Sequence, residues 1–205
     1  EAATAPEQGP PRLAALRERL AAAGVDGFLV PRADAHQGEY VAPRDDRLAW
    51  LTGFTGSAGF CVVLPHVAGI FIDGRYRVQV RGQVDTGHFT PVPWPETKLP
   101  DWLAEQLPNG GVIAYDPWLH SLEEVEKLEA AGEGSGITLG PTENFVDALW
   151  PDQPAPPCGA VRVHPDALAG ESHGDKRARL SEGLRQAGQA AALLTLPDSV
   201  AWLLN

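Results

Sequence analysis

Leu13, Leu16 and Leu20 fall on one helical face, and Gly24 follows where such a helix stops. The apolar run Gly27-Phe28-Leu29-Val30, halted by Pro31, predicts a buried strand. Arg32 to Arg44 is polar and irregular, a loop long enough to carry function. Asp45 to Leu51 predicts a short helix with acidic residues at its start, ended by Gly53. Strands over 58–64 and 68–73 follow, joined by a Pro65-His66 turn, then a helix over 74–84. A strand over 88–92, a helix over 100–107 and a strand over 111–115 continue the alternation. Ser121 and Glu124 form a capping box for the next helix, with Leu122, Val125 and Leu128 as its apolar stripe. A strand over 137–139 and a helix over 144–150 close the unit. This order predicts a layered α/β/α domain, and the neighbouring strands within 58–73 make its sheet mixed.

Five prolines (Pro151, Pro154, Pro156, Pro157 and Pro165) then mark a stiff linker over 151–165. After it the pattern begins again: Leu180, Leu184 and Gly188 repeat Leu16, Leu20 and Gly24, each displaced by 164. A strand-like run, Leu193-Leu194-Thr195, stands where Phe28-Leu29-Val30 stood, and Ala-Trp-Leu occurs at 49–51 and at 201–203. Chance matches in a Leu- and Ala-rich chain are the alternative to a duplication. The domain plan expected is a disordered tail over 1–11, a first domain over 12–150, the linker, and over 166–205 the truncated beginning of a second similar domain.

Composition narrows the function classes. The 205 residues carry a net charge of −11, which works against nucleic acid and anionic membranes, because phosphates need Lys and Arg to neutralise them. No apolar run approaches the ~20 residues that a membrane-spanning helix needs. Residues 1–11 have neither the basic start nor the apolar core of a signal peptide. Only two cysteines occur, Cys61 in an apolar run and Cys158 in the linker. A reducing, cytoplasmic setting is the simplest expectation, with Cys61 a buried small hydrophobe.

Three segments invite chemistry. His36 and Glu39, in the loop His36-Gln37-Gly38-Glu39-Tyr40-Val41-Ala42-Pro43-Arg44-Asp45, could make an acid/base pair or part of a metal site. The alternative is a set of loop-stabilising hydrogen bonds. No other cluster supplies further ligands: the remaining histidines are scattered and no H-E-x-x-H occurs, so no complete metal site is expected. In Gly53-Phe54-Thr55-Gly56-Ser57-Ala58-Gly59, Ser57 has a helix before it and a strand after it, the reverse of a nucleophile elbow. A phosphate cradle also lacks its lysine, and the glycines read as a tight helix-to-strand turn. Asp73-Gly74-Arg75-Tyr76 stands where a strand ends and a helix begins, a place where α/β folds present ligand-contacting groups. Arg75 suits a carboxylate ligand, or else a surface pair with Asp73.

Together these segments resemble the N-terminal region of long, three-domain Xaa-Pro aminopeptidases. The resemblance rests on residues 36–45, 53–59 and 73–76. Asp116-Pro117, Asn144-Phe145-Val146-Asp147 and the run Leu196 to Asn205 support it in the same order. It implies two creatinase/prolidase-type α/β domains ahead of a metallopeptidase domain absent from this chain. That missing domain, the fragment's natural partner, would hold two divalent ions, manganese by family usage, on two Asp, one His and two Glu. The fragment alone is then inactive, and the intact enzyme removes the N-terminal residue from peptides with proline in second position, as a homodimer. By motif, Arg75 and Glu39 correspond to substrate-binding positions, and His36 and Tyr40 to supporting loop positions. Gly38 stands where Ser is frequent, a small departure. The competing readings are a creatinase or prolidase-like enzyme and a stand-alone binding or oligomerisation module.

Overall fold

Along β1 (Gly27–Pro31) successive side chains enter opposite cores, Phe28 and Val30 one and Leu29 the other. The computed structural model, which describes residues 5–205, repeats this division on each central strand. In β2 (Gly59–Val63) Cys61 and Val63 oppose Val62, and in β3 (Ala68–Ile72) Ile70 and Ile72 oppose Phe71. With β4 (Thr90–Pro93), β5 (Gly111–Tyr115) and β6 (Ile137–Pro141) they form a six-stranded sheet in the order β4-β3-β2-β1-β5-β6. The β1–β2 and β2–β3 pairs are antiparallel and the other three are parallel. The sheet is mixed, with both faces covered, as the alternation predicts.

The covering helices are α1 (Gly9–Ala23), α2 (Arg47–Thr52), α3 (Gln79–Gln83), α4 (Leu99–Gln106), α5 (Leu122–Ala131) and α6 (Phe145–Leu149). Leu13, Leu16 and Leu20 of α1, Leu48 and Leu51 of α2, Val80 of α3 and Val146 of α6 fill the first core. Leu99, Trp102 and Leu103 of α4 are buried in the second, and Val125 and Leu128 of α5 pack against it. Cys61 is fully buried, its thiol pushed well up by desolvation, and both cysteines are free.

Several expectations need correction. Residues 6–11, placed in the expected tail, are helical: a 3₁₀ turn over Pro6–Gln8 leads into α1 at Gly9. Pro10 and Pro11 sit in the first helical turn, where a missing N–H costs nothing. The part of the expected tail over residues 1–4 lies outside the described residues. The helix over 74–84 is instead a 3₁₀ turn, Gly74–Tyr76, and the five-residue α3. Asp73 accepts the Arg75 N–H and closes that turn, while Val78 stays exposed. Leu122 leaves the α5 stripe and is 73% exposed at the helix's first position.

The chain divides into two compact units, the first running to Ala35 and over Glu39–Ala155, the second taking His36–Gly38 with Pro156–Asn205. The second holds α7 (Asp166–Ala169), α8 (His173–Gln186) and α9 (Pro197–Leu204). No strand forms at 193–195, so that part of the repeat is absent. The helical part is present: α1 and α8 begin 164 residues apart, and Gly24 and Gly188 after them share φ 67°. Lys176 is the one buried residue there among those described; its ammonium donates to Trp202 O (2.7 Å) and Asn205 Oδ1 (2.6 Å), at the negative end of α9. No described helix is long and apolar enough to cross a membrane.

Candidate functional site

The loop after β1 is shaped by Arg32. Its backbone N–H donates to Gly59 O (3.3 Å), continuing the β1–β2 ladder, and its Nη1 donates to Glu39 O (2.9 Å) and Ser57 O (3.2 Å). Gln37 turns the chain with φ 57°, in the left-handed region. Glu39 and Tyr40 are exposed, Tyr40 at 84%. His36 is grouped with the second unit, where Nδ1 lies 3.0 Å from Thr195 O.

Beside this loop runs the glycine-rich turn. Gly53 ends α2 at φ 87°, where a Cβ would meet Gln83 O at 2.4 Å. Gln83 of α3 binds Thr55 twice, accepting its N–H (3.0 Å) and donating to its hydroxyl (2.9 Å). Phe54 is buried beneath Gly56, whose Cβ would overlap the ring at 2.2 Å. The structural reading of these glycines therefore holds, with helix before and strand after Ser57. Ser57 has a further contact: its hydroxyl lies 2.6 Å from Tyr76 OH, a bond that lowers the Tyr76 pKa.

Arg75 presents a guanidinium that is 65% exposed, bonded through Nε and Nη2 to Asp73 (3.0 and 2.6 Å to Oδ2). The surface pair named as the alternative is thus formed, yet it leaves the guanidinium's other amino group outside the pair. Arg75 also lies 5.1 Å over the Tyr76 ring. The bond to Asp73 raises the Arg75 pKa most, and the nearby Glu39 carboxylate adds to it. The chain thus brings the two sequence-predicted substrate residues, Glu39 and Arg75, within electrostatic reach of each other.

Other motif residues serve the scaffold. Asp116 accepts the Trp118 N–H (2.9 Å) and the Asn144 amide (3.0 Å), while Asn144 caps α6. Asp45 and Asp147 both bind Arg47, which is buried. Sequence reasoning missed Arg47; the available signal was an arginine beside the apolar Leu48–Leu51 face. Arg32 and the Ser57–Tyr76 pair were missed too, and nothing in a polar loop marks them. Among the described residues no group of three or more His, Cys, Asp or Glu could hold a metal ion.

Asp46, half-buried at the start of α2, has its pKa raised by desolvation, partly offset by the charge of Arg32. A folded pKa above the unfolded one means stability is greatest below the unfolded value of about 3.9 and falls as pH rises through the folded value. Asp46→Asn removes that titration. The stability of Asp46→Asn relative to the wild type should rise from about pH 4 upward and then level off. Urea melts between pH 4 and 7 check this; a pH-independent difference would refute it.

Residues 12–149 match the creatinase/prolidase N-terminal domain family, and residues 152–205 match a second family with the same description. The chain belongs to the creatinase/prolidase N-terminal domain family. It is 37% identical over 203 residues to a probable Xaa-Pro aminopeptidase P of Neosartorya fischeri, covering 95% of this chain and 30% of that protein. It is 38% identical to one of Coccidioides posadasii, covering 100% of this chain and 32% of that protein. Among solved structures, the X-prolyl aminopeptidase of Caenorhabditis elegans superposes with a TM-score of 0.84 at 32% identity, over 95% of this chain and 34% of that one. That protein is described as a cytosolic enzyme with a di-nuclear active site. The N-terminal domain of peptidase PepQ from Mycobacterium tuberculosis (TM-score 0.52, 23% identity, 68% of this chain and 98% of that one) shares the fold. The chain spans about a third of the length of the curated relatives it matches.

Proposed function

We propose that this chain is the N-terminal, substrate-contacting part of an Xaa-Pro aminopeptidase. The observation that carries the reading is the likeness to the Caenorhabditis elegans X-prolyl aminopeptidase, which extends over 95% of the chain and so takes in residues of both units. The intact protein, on this reading, is a hydrolase that removes the residue before proline and works as a cytoplasmic homodimer. The described residues do not fit a two-metal centre, since no ligand cluster is present among them. On this reading the metal pair, manganese by family resemblance, is held by sequence outside this chain, and no catalytic step is assigned to residues here.

What this chain supplies is recognition. Glu39 offers a carboxylate to a peptide's ammonium end. Arg75, bonded to Asp73 and lying over the Tyr76 ring, offers a guanidinium to a peptide carbonyl or carboxylate. Two opposite charges within electrostatic reach of each other let the peptide's direction be read.

In the full-length protein, Glu39→Ala and Arg75→Ala should each lower kcat/KM on a tripeptide with proline second by about ten- to a hundredfold. Bound metal should stay unchanged by elemental analysis. A variant that keeps parental kcat/KM removes its residue from substrate binding.

A further inference from the structure

Glu39 and Arg75 are both exposed and lie on different loops. Core packing therefore does not fix their separation; whatever ties the two loops together does. Arg32 forms the first tie, since one amino group donates both to Glu39 O and to Ser57 O. Ser57 makes the second through its hydroxyl, bonded to Tyr76 OH at 2.6 Å. Tyr76 in turn carries Arg75 over its ring and packs edge-on against buried Phe54, with centroids 5.5 Å apart. A continuous path thus runs from the Glu39 backbone through Arg32, Ser57 and Tyr76 to Arg75. The Arg32 charge also acts on the half-buried Asp46 carboxyl.

We propose that Arg32, with the Ser57–Tyr76 hydrogen bond, is the positioning element that sets the spacing between Glu39 and Arg75. This rests on the reading of those two residues as peptide contacts. Arg32 touches neither substrate nor metal; it acts through the loops it joins. A planar guanidinium can bridge two carbonyls from a fixed place, whereas lysine, a point charge on a flexible stem, holds such a geometry less well. A misplacement of about 1 Å at a binding group can cost up to about a hundredfold in rate. Losing the bridge should therefore affect peptide use more than folding, because water can solvate the two freed carbonyls.

The experiment has two arms. In the full-length protein, kcat and KM are measured on a tripeptide with proline second for Arg32→Met, Arg32→Lys, Arg75→Ala and the double variant Arg32→Met/Arg75→Ala. Arg32→Met should lower kcat/KM about tenfold, mainly through KM, with Arg32→Lys intermediate. The double variant should fall within about twofold of Arg75→Ala alone, since coupled sites are not additive. In the 205-residue chain, Arg32→Met should exchange amide hydrogens faster over 33–42 and 55–58 and unchanged within β1 to β3. If Arg32→Met fails to fold, Arg32→Lys, which keeps the positive charge, carries both arms.

Parental kcat/KM, a fully additive double variant or unchanged loop exchange overturns the inference. If Glu39→Ala and Arg75→Ala are themselves silent, the substrate reading falls and takes this inference with it. If they lose activity and the Arg32 variants do not, the inference falls alone.

Discussion

Replacing Arg47 with methionine should destabilise the first unit by about 3 kcal/mol. Its guanidinium donates to both oxygens of Asp147 (Nε at 2.6 Å, Nη2 at 2.9 Å) and to Asp45 Oδ1 (3.1 Å). The Arg47 side chain is 6% exposed, against 31% for Asp147 and 19% for Asp45. Removing one partner of a buried pair commonly costs about 3–5 kcal/mol, because the remaining charges stay desolvated. Here the carboxylates keep partial access to water, which places the cost at the low end. The same cluster joins α2 to α6: Gln153 donates to Asp147 (2.8 Å) and to Arg44 O (2.9 Å), and Trp50 stacks on Trp150 at 5.3 Å. Arg47→Lys keeps the charge but loses the bidentate geometry and should fall between wild type and methionine. Urea unfolding of the three proteins tests this; a methionine variant within about 1 kcal/mol of wild type would place the joint's stability in the aromatic stack instead.

What was legible in the sequence follows from which forces act locally. The central strands declare themselves through alternation between two buried faces, and Ser121 with Glu124 makes the capping box the spacing implies. Local reading failed where a long-range or side-chain bond decided the outcome. Asp73 pulling the Arg75 N–H into a 3₁₀ turn broke a helix that period alone would continue. Leu193 and Leu194 have strand-like side chains but no neighbouring strand, and a strand exists only with a partner. At the candidate site, Arg75 and Glu39 were visible as charged residues on loops between core elements. The groups that hold them, Arg32 and the Ser57–Tyr76 pair, were invisible because their partners are 7 to 25 residues away. Asp45, legible only as an acidic residue at a helix start, and Asp147, legible only as part of a motif, serve as counterions for a buried arginine.

The largest expected contrast is between the two units expressed separately. Residues 5–155 should fold alone and melt in one cooperative transition, since both faces of their six-stranded sheet are covered from within the same segment. Residues 156–205 should show little helix and no cooperative melt. They contain helices of 4, 14 and 8 residues and no strand. Isolated helices of about 12–15 residues or fewer are marginal in water, so α8 and its neighbours need a surface to pack on. The apolar side chains that could make one remain open: Leu193 is 89% exposed, Leu204 55%, Trp202 49% and Leu194 42%. What holds these helices is polar, chiefly Lys176 at the end of α9 and Asn205, whose amide donates to Asp166 Oδ1 (2.9 Å) and Glu171 O (3.0 Å). Such bonds contribute only about 0.5–1.5 kcal/mol each, more where one partner is charged, against about 1–2 kcal/mol of backbone entropy for every residue ordered. Circular dichroism of the two segments, with thermal melts at two concentrations, makes the comparison. A monomeric 156–205 segment that unfolds cooperatively would show that these polar contacts suffice, and the account of an apolar face needing a cover would be wrong.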